Sequence, residues 1–331
     1  MTVESSPNSE NPLVSVIMPS YNCRRWIGEA LDSLLNQTYA NLDIVVVDDG
    51  STDDTATYLQ ENYAGKITYI YQPNGGLAHA RNTGIRAAKG ELISFLDADD
   101  WIVAEKIAHQ VAYLKQHPEC DIVYCNYWYA YDDNPTHLII AEEFGFRIRA
   151  GEIMPLLLGG DNFPMHAPLL RRKCVERVKG FLESLRSLED FDFWLRLAGA
   201  GFRFEYLDER LVIYRKRAGS LSRDLTNLRL HRYRAYAHIK EVLEPKQLHE
   251  ALQKTEIAAS FEFGLARAYF EKKDYRAGLR QVVAALRTPR RRRLLYSLFC
   301  LAYVALLPIF GYNRLERMIS ALITRLPKFK P

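Results

Sequence analysis

An α/β fold with a mostly parallel sheet flanked by helices is the architecture that this 331-residue sequence predicts. Short apolar runs closed by polar turn residues have the pattern of buried strands, and they cover 14–18, 41–47 and 91–96. Segments with helical spacing of their apolar residues lie between these runs, at 28–38, 55–64 and 78–89. Alternating strands and helices are typical of a parallel sheet whose loops meet at one edge.

Net charge divides the chain into an acidic and a basic part. Residues 1–220 hold 22 Lys and Arg against 31 Asp and Glu, a balance of −9. Residues 221–331 hold 22 against 9, a balance of +13, which leaves +4 for the whole chain. A basic region can bind nucleic acid, but no nucleic-acid motif accompanies this one. A membrane surface is the favoured partner, since each basic residue near anionic lipid contributes ~1 kcal/mol.

Four regions are predicted along the chain. Residues 1–12 are polar and are predicted to be disordered, and 13–222 form the α/β domain. An all-helical extension follows at 223–288, with one helix pair that resembles a single tetratricopeptide unit. The last region, 289–331, is a basic and apolar tail that we expect to associate with a membrane.

The tail contains an apolar run, Leu294–Phe310, that follows four arginines. Its 17 residues are at the lower limit of what crosses a bilayer. A monotopic or re-entrant hairpin is favoured over a full span, with an ordinary core helix as the alternative. The arginines place this tail at the cytoplasmic face of the inner or plasma membrane. Five scattered cysteines and the lack of an apolar N-terminal stretch agree with a cytoplasmic location.

An acidic loop follows the third predicted strand, where Asp97, Asp99 and Asp100 are close together in sequence. Carboxylates at the end of a buried strand are costly unless a positive group neutralises them. A hard divalent cation does this well, because one or two carboxylates and substrate phosphates are its usual ligands. The alternative is a solvated loop or a helix start, with Asp99 or Asp100 capping a helix that begins at Trp101.

Two further carboxylate pairs stand at element ends. Asp48 and Asp49 close the second strand, and Glu189 and Asp190 begin an amphipathic helix. For the second pair, helix capping with a favourable dipole interaction is the structural alternative. Asp192 and Arg196 have the i,i+4 spacing of a helix-surface ion pair.

Five segments, taken in this order, resemble the motif set of family 2 glycosyltransferases with a GT-A fold. They are 14–22, 45–55, 72–84, 95–100 and 188–198. The resemblance covers roughly residues 12–222. It implies an inverting, metal-dependent transfer of a sugar from a nucleotide diphosphate sugar, with UDP favoured and dTDP or GDP possible. The implied acceptor is a hydroxyl of a saccharide or lipid-linked saccharide in surface polysaccharide synthesis.

The resemblance also assigns roles to residues of this chain. Asp190 is implied to be the catalytic base, and Asp99 the ligand of Mn²⁺ or Mg²⁺. Asp49 is implied to accept a hydrogen bond from a pyrimidine N–H, since a carboxylate can only accept. The implied donor-binding residues are Pro19, Tyr21, Asp48, Asp49, Asn74, Gly76, Arg81, Asp97, Ala98 and Arg217.

The acceptor side is assigned to Glu189, His166 and Trp194. A structural histidine is the stronger interpretation of His166, and the helical spacing of Trp194 is that of a core residue. Arg217 stands where many relatives carry histidine. Arginine cannot ligate a metal, so charge pairing with the diphosphate is expected there.

Two other functions remain open at this point. A sugar nucleotidyltransferase shares the sheet and a metal-binding aspartate, but it normally has a glycine-rich basic signature after the first strand. This chain has Pro19–Arg25 there instead. A non-catalytic nucleotide-sugar-binding scaffold at the membrane is the second alternative, and binding without turnover would support it.

Overall fold

The computed structural model describes residues 11–140, 152–159, 163–217, 225–254 and 273–287, with six positions between 261 and 270. The chain divides into two compact units, Met1–Ser220 and Leu221–Pro331. The predicted membrane tail, 289–331, lies outside the described residues, as does most of the predicted disordered segment. Within the described residues, no helix combines the length and the hydropathy that crossing a membrane requires.

The first unit alternates strands and helices from its start. Its first seven elements are β1 (Val14–Ser20), α1 (Ile27–Leu35), β2 (Leu42–Asp48), α2 (Thr55–Tyr63), β3 (Thr68–Tyr71), α3 (Leu77–Ala87) and β4 (Leu92–Phe95). The next nine are β5 (Trp101–Ile102), α4 (Lys106–Gln116), β6 (Ile122–Tyr131), β7 (Asn134–Ile140), α5 (Ile153–Gly159), β8 (Pro168–Arg171), α6 (Arg172–Val178), α7 (Glu189–Gly199) and β9 (Phe204–Lys216).

One sheet contains all nine strands, in the order β3-β2-β1-β4-β8-β6-β9-β5, with β7 paired to β6. The α/β fold predicted from the sequence is confirmed. The first four strands of this order are mutually parallel, as predicted. Beyond them the sheet is mixed, since β8 is antiparallel to both of its neighbours and β9 is parallel to β6.

Two of the strands predicted from sequence, β1 and β4, are buried at every residue, and the predicted strand β2 is buried from Ile44 to Asp48. Burial on both faces fits their nearly continuous apolar runs. The edge strand β3 was not predicted, because its four residues are exposed or half-buried and have no apolar run. A four-residue strand carries too little pattern to be separated from a loop.

The carboxyl ends of the parallel strands meet at one edge of the sheet. Ser20 pairs with Asp48, and Asp48 pairs with Tyr71. One residue further on, the Asp49 N–H donates to the Ser20 carbonyl at 2.8 Å. On the other side of β1, the Leu96 N–H donates to the Ile17 carbonyl at 3.0 Å. The loops after β1, β2 and β4 therefore start from the same edge.

Helix α3 packs on β1 and β2 at very short range. A Cβ atom added at Gly84 would lie 2.3 Å from Cγ2 of Ile17, well inside van der Waals contact. Glycine lets helix and strand approach this closely because it has no side chain. Arg81 lies three residues earlier on the same helix. The contact at Gly84 therefore helps to set the distance between the Arg81 backbone and the sheet.

The second unit is helical where the structure describes it, as predicted. Its helices are α8 (Leu225–Val242), α9 (Pro245–Gln253) and α10 (Tyr275–Arg287). Lys240 of α8 donates a hydrogen bond to Gln281 of α10 at 3.1 Å. Much of the predicted tetratricopeptide-like pair lies in 255–272, where only the six isolated positions are described.

Candidate active site

Asp48 closes β2 and is fully buried. Its Oδ1 accepts the Ser51 N–H at 2.8 Å, and its Oδ2 accepts the Tyr69 hydroxyl at 2.9 Å. Both oxygens are thus bonded within the chain. In this structure Asp48 holds the turn that follows the strand, and its contact with the donor stays a prediction.

Asp49 binds the glycine-containing loop before α3. Its Oδ1 accepts the Gly75 N–H at 2.9 Å and the Gln72 side-chain amide at 2.6 Å, and its Oδ2 accepts the Gly76 N–H at 2.8 Å. Asn74 adds a hydrogen bond to the Asp49 carbonyl at 2.9 Å. A carboxylate offers about four acceptor positions, so three bonds leave room for one more donor.

Gly76 makes the turn into α3 possible. Its φ is +92°, a conformation that favours glycine. A Cβ atom there would lie 2.4 Å from the guanidinium of Arg186, whose Nη1 donates to the Gly75 carbonyl at 2.8 Å. The absence of a side chain at Gly76 thus lets the Arg186 guanidinium lie directly against the backbone of this loop. The loop leads into the N-terminus of α3, where the helix dipole favours anions.

Arg81 joins the loop after β4 to the start of α7. Its Nη2 donates to Asp97 at 2.8 Å, and its Nη1 donates to Glu189 at 2.7 Å. The side chain is only 2% exposed. Burial alone lowers the pKa of Arg81, but Asp97 and Glu189 outweigh it and the pKa is raised. Arg81 therefore makes a double ion pair within the chain, and its direct contact with nucleotide stays a prediction.

Glu189 and Asp190 begin α7 directly after a strained residue. Leu188 adopts a left-handed conformation with φ of 62°, which is uncommon for a residue with a side chain. The half-buried Asp190 accepts the Phe191 N–H at 2.7 Å through Oδ1. Strain of this kind is found at functional sites, where surrounding contacts hold it.

Burial sets the protonation of this carboxylate pair. It raises the pKa of Glu189 to about 7, although the Arg81 ion pair opposes the shift. It also raises the pKa of Asp190, again against the effect of Arg81. A carboxyl with a raised pKa is a stronger base once ionised, which suits a group that must take up a proton near neutral pH.

Arg217 pairs with Asp99, the predicted metal ligand. The Arg217 Nε lies 2.5 Å from Asp99 Oδ2, and the guanidinium lies 4.5 Å from the centre of the Trp26 ring. The Asp99 side chain is 19% exposed. Burial and the neighbouring Asp97 raise the pKa of Asp99, and Arg217 opposes them. Within the chain Arg217 is thus paired with a carboxylate, and its pairing with a diphosphate stays a prediction.

Arg215 also bonds the acidic loop after β4, although the sequence analysis did not single it out. Its backbone N–H donates to Asp100 Oδ1 at 2.7 Å, and its Nε donates to the Asp99 carbonyl at 2.8 Å. The buried guanidinium also pairs with Glu29 and, at 3.4 Å, with Asp132. Its position two residues before Arg217 in an extended strand was the available signal, since such residues share a face.

Asp100 does not cap a helix, which corrects the structural alternative. Trp101 pairs with Ile213 in strand β5, and the next helix begins at Lys106. The Asp100 Oδ2 atom is buried, has no hydrogen-bond partner in the described part of the chain, and lies 3.3 Å from Nδ1 of His166. Burial raises the pKa of Asp100 well above its usual value and lowers that of His166 to about 3.

The chemistry of this region fits a hard divalent cation. Asp97, Asp100 and His166 each offer an atom within 4.8 Å of the others. Asp99 lies in the same loop, and carboxylate oxygens are preferred ligands of such ions. The orphaned Asp100 oxygen is the observation that favours a positive partner here, since a buried acceptor without one is costly.

Two side chains assigned to the acceptor side are inaccessible. His166 and Trp194 are both 0% exposed. Trp194 packs against Phe163 and Phe193, with ring centres 5.3 and 4.9 Å away. Burial of this kind is what the structural interpretation of both side chains expects, and their acceptor-side role stays a prediction.

The expected surface pair in α7 is also buried. Arg196 bonds Asp192 at 2.7 Å as the i,i+4 spacing predicts, but Asp192 is 0% exposed. Arg196 also donates to the carbonyls of Val178 and Gly180. These carbonyls follow the last turn of α6, so the bonds from Arg196 join α7 to that part of the chain.

The remaining predicted residues lie around the same edge. Tyr21, at the end of β1, is 50% exposed, whereas Pro19 and Ala98 are buried in the strand and the acidic loop. Asp97, Asp99, Glu189 and Asp190 are brought together around two arginines, and electrostatic interaction links Asp97 to both Asp99 and Asp190.

Comparison with known proteins places this geometry in a family. The profile described as "Glycosyl transferase family 2" matches residues 15–177. EpsJ of Bacillus subtilis, an uncharacterized glycosyltransferase, is 36% identical over 219 residues, 64% of this chain and 63% of EpsJ. EpsE of the same organism is 30% identical over 227 residues, 65% of this chain and 77% of EpsE.

Chondroitin synthase of Escherichia coli is 31% identical over 201 residues. That match covers 60% of this chain and 28% of the synthase. The chain therefore spans less than two thirds of EpsJ and under a third of chondroitin synthase.

Solved structures show the same fold. TarS 1–349 of S. aureus, solved in complex with UDP, has a TM-score of 0.61 at 20% identity, over 96% of this chain and 94% of that chain. The mannosyltransferase PcManGT of Pyrobaculum calidifontis, solved with GDP-Man and Mn²⁺, has a TM-score of 0.58 at 19% identity, over 98% and 89%. The predicted GT-A fold is confirmed. The chain belongs to glycosyl transferase family 2.

Proposed function

We propose that this chain transfers a sugar from a nucleotide diphosphate sugar to a hydroxyl of a saccharide or lipid-linked saccharide, with inversion at the anomeric carbon. The observation that carries the proposal is the position of Arg81 between Asp97 and Glu189. It joins the acidic loop after β4 to the carboxylates that begin α7. A leaving diphosphate and an attacking hydroxyl need these two elements side by side.

The donor is proposed to bind across the strand ends of the parallel half of the sheet. Tyr21 offers an exposed ring there, and Asp49 retains an acceptor position for a base N–H. The Gly75–Gly76 backbone leads into the α3 N-terminus, which favours phosphate. Binding between β1, β2 and α3 agrees with the rule that open sheets bind ligands beyond their carboxyl ends.

UDP is the favoured nucleotide. TarS was solved with UDP and with UDP-GlcNAc, and PcManGT with GDP-Man. The shared fold thus accepts both uridine and guanosine donors in these neighbours. A carboxylate at Asp49 can accept a hydrogen bond from the N–H of either base. Isothermal titration of the full chain with UDP and with GDP tests the choice, and tighter binding of UDP is expected.

A divalent cation, Mn²⁺ or Mg²⁺, is proposed to be held by Asp99 with help from its acidic neighbours. Such an ion acts as a Lewis acid that stabilises charge on a leaving diphosphate. Asp97 is proposed to face the ribose or sugar while it keeps its ion pair with Arg81. Arg217 is close enough to Asp99 to place positive charge near the same phosphates.

Asp190 is proposed to take the proton from the acceptor hydroxyl. It is half-buried, and its raised pKa favours proton uptake once it is ionised. Its neighbour Glu189 is held by Arg81 and so fixes the first turn of α7. Attack on the face opposite the leaving diphosphate inverts the anomeric centre.

The proposed setting is surface polysaccharide synthesis at the cytoplasmic face of a membrane. Relatives include chondroitin synthase and the hyaluronan synthase of Pasteurella multocida. The +13 balance of residues 221–331 and the apolar run at 294–310 support attachment through the C-terminal region. The helical unit that precedes this run is proposed to connect it to the catalytic domain.

Radiolabelled nucleotide sugars offered to the full chain, with membranes as acceptor source, test the proposal. Transfer is expected with Mn²⁺ or Mg²⁺ and is expected to stop with chelator. Asp190→Asn is expected to lower the rate by ~10²–10⁴-fold while donor binding is kept, because only the positioned base is lost.

Asp208→Asn is the control, since it changes an exposed aspartate that bonds Tyr206 outside the site. It is expected to leave transfer unchanged. A parent rate in Asp190→Asn would refute the base assignment. Donor binding without transfer or hydrolysis in the unaltered chain would instead support the scaffold.

A further inference from the structure

The Arg217–Asp99 pair differs from the other arginine contacts of the site. Arg217 lies one residue beyond the end of β9, and its side chain is 22% exposed. Arg81 and Arg215 are 2% and 3% exposed, and each holds two carboxylates. Arg217 is thus the least buried of the three and contacts the predicted metal ligand itself.

A guanidinium and a divalent cation compete for the same carboxylate. The Arg217 Nε is 2.5 Å from Asp99 Oδ2, so one oxygen of that carboxylate is already bonded to a cation. A metal ion that approaches Asp99 also meets the repulsion of a permanently charged side chain. Neighbouring opposite charges shift the proton affinity of a carboxyl by about tenfold to a thousandfold, and a metal ion faces the same field.

A diphosphate removes this competition. Arginine binds phosphate with two parallel N–H bonds, a stronger arrangement than the single Nε contact seen here. Once the guanidinium turns to phosphate, the Asp99 carboxylate is released to a metal ion. The Trp26 ring 4.5 Å away gives the guanidinium a cation–π partner besides Asp99.

We infer that Arg217 is the resident counter-ion of Asp99, so that a divalent cation binds Asp99 tightly only together with a diphosphate. The inference rests on the proposed nucleotide-sugar site. Arg215 fixes the loop backbone through the Asp99 carbonyl, so the loop keeps its shape while the side-chain partner of Asp99 changes. Arg217 thereby couples metal binding to nucleotide binding, and the coupling is reciprocal.

Mn²⁺ binding to the full chain, followed by electron paramagnetic resonance, tests this inference. Measurements are made with Mn²⁺ alone and then with added UDP or GDP. In the unaltered chain, we expect the nucleotide to tighten Mn²⁺ binding at least about tenfold. In Arg217→Gln, we expect Mn²⁺ alone to bind about tenfold more tightly than in the unaltered chain, with most of the nucleotide effect lost.

Matched variants separate charge from folding. Arg217→Lys keeps a cation and is expected to weaken Mn²⁺ binding nearly as well as arginine does. Asp99→Asn is expected to abolish the effect of Arg217→Gln, as a double-mutant cycle requires. Arg203→Gln removes an exposed arginine that pairs with Glu205 at 2.6 Å, and it is expected to change nothing.

Equal Mn²⁺ affinity of Arg217→Gln and the unaltered chain without nucleotide would overturn the inference. If nucleotide still tightened Mn²⁺ binding, the proposed metal-dependent donor site would stand. An absence of Mn²⁺ binding in all variants, even with nucleotide, would overturn both this inference and the cation in the proposed function.

Discussion

The two acidic loops at the sheet edge are stabilised in different ways. After β2, Asp48 and Asp49 accept hydrogen bonds from backbone N–H groups, an amide and a phenol, all of them neutral donors. After β4, Asp97 and Asp99 pair with the guanidinium groups of Arg81 and Arg217, while Asp100 accepts the backbone N–H of Arg215. Hydrogen bonds from neutral donors hold the shape of the loop after β2. The guanidinium groups at the loop after β4 neutralise carboxylates, and a metal ion can take over that role.

This difference fits the two halves of a nucleotide sugar. A base needs a pocket of constant shape, and short local hydrogen bonds supply it. A diphosphate with a metal ion needs carboxylates whose partners can change during binding. Substitutions in the two loops should therefore destabilise the protein in different ways. After β4 they leave buried charges unbalanced, and after β2 they alter the shape of the loop.

The largest stability effect is expected at Arg81. Arg81→Met leaves Asp97 and Glu189 without their shared cation, and breaking such a buried pair costs about 3–5 kcal/mol. Urea unfolding of the full chain measures the loss. Arg86→Gln, an exposed arginine on the same helix, is the control and is expected to stay within about 0.5 kcal/mol. A loss in Arg81→Met no greater than in this control would show that the carboxylates do not depend on Arg81.

A smaller effect is expected after β2. Asp49→Asn turns one acceptor oxygen into an N–H₂ group that faces the donors of the Gly75–Gly76 loop, which costs about 1–3 kcal/mol. Nucleotide affinity should fall with it, because the loop before α3 loses its anchor. Isothermal titration with UDP and urea unfolding measure the two effects.

Asp54→Asn is the matched control, since Asp54 is exposed in the same connection and caps α2 without a side-chain hydrogen bond. It is expected to leave both measurements unchanged. Unchanged stability in Asp49→Asn would show that the loop after β2 does not depend on its carboxylate.

The most gradual effect, spread over more than two pH units, is a pH slope from Glu189. Its pKa in the folded chain is about 7 against an ordinary 4.5, so the folded state binds more protons between these values. The free energy of unfolding should therefore fall as pH rises from 4.5 to about 7, by at most about 1.4 kcal/mol per pH unit for one proton. Glu189→Gln should flatten this slope in urea unfolding.

The exposed Glu61, on α2, provides the control for that slope. Glu61→Gln should keep the slope of the unaltered chain. An identical slope in Glu189→Gln would assign the proton uptake to another group, of which Asp190 and Asp100 also have raised pKa values.

The parallel half of the fold was predictable because its strands are unbroken apolar runs. Helices α1, α2, α3 and α7 were predicted within a few residues of their observed bounds. The short β3 and the strands β5 to β8 were not predicted. Strands β5, β6 and β8 pair with strands far away in sequence, and a local pattern does not report such pairing. Strands β3 and β7 pair with the strands that precede them, but their residues are exposed or half-buried and form no buried apolar run.

The site was predictable in its carboxylates but not in their partners. Runs such as Asp97–Asp100 stand out because acidic residues rarely end buried strands. Arg215 is harder to single out, since its spacing from Arg217 places the two on one face but does not name their partners. Its role depends on Glu29 and Asp132 reaching it through the fold.

The missing side chain at Gly84 also affects electrostatics three residues away. Because α3 packs directly on Ile17 at Gly84, there is no room for a larger side chain between the helix and the sheet. A single added methyl group would lift the helix and pull the Arg81 guanidinium off Asp97 and Glu189. Gly84→Ala would then resemble a charge deletion, although it alters no charged atom.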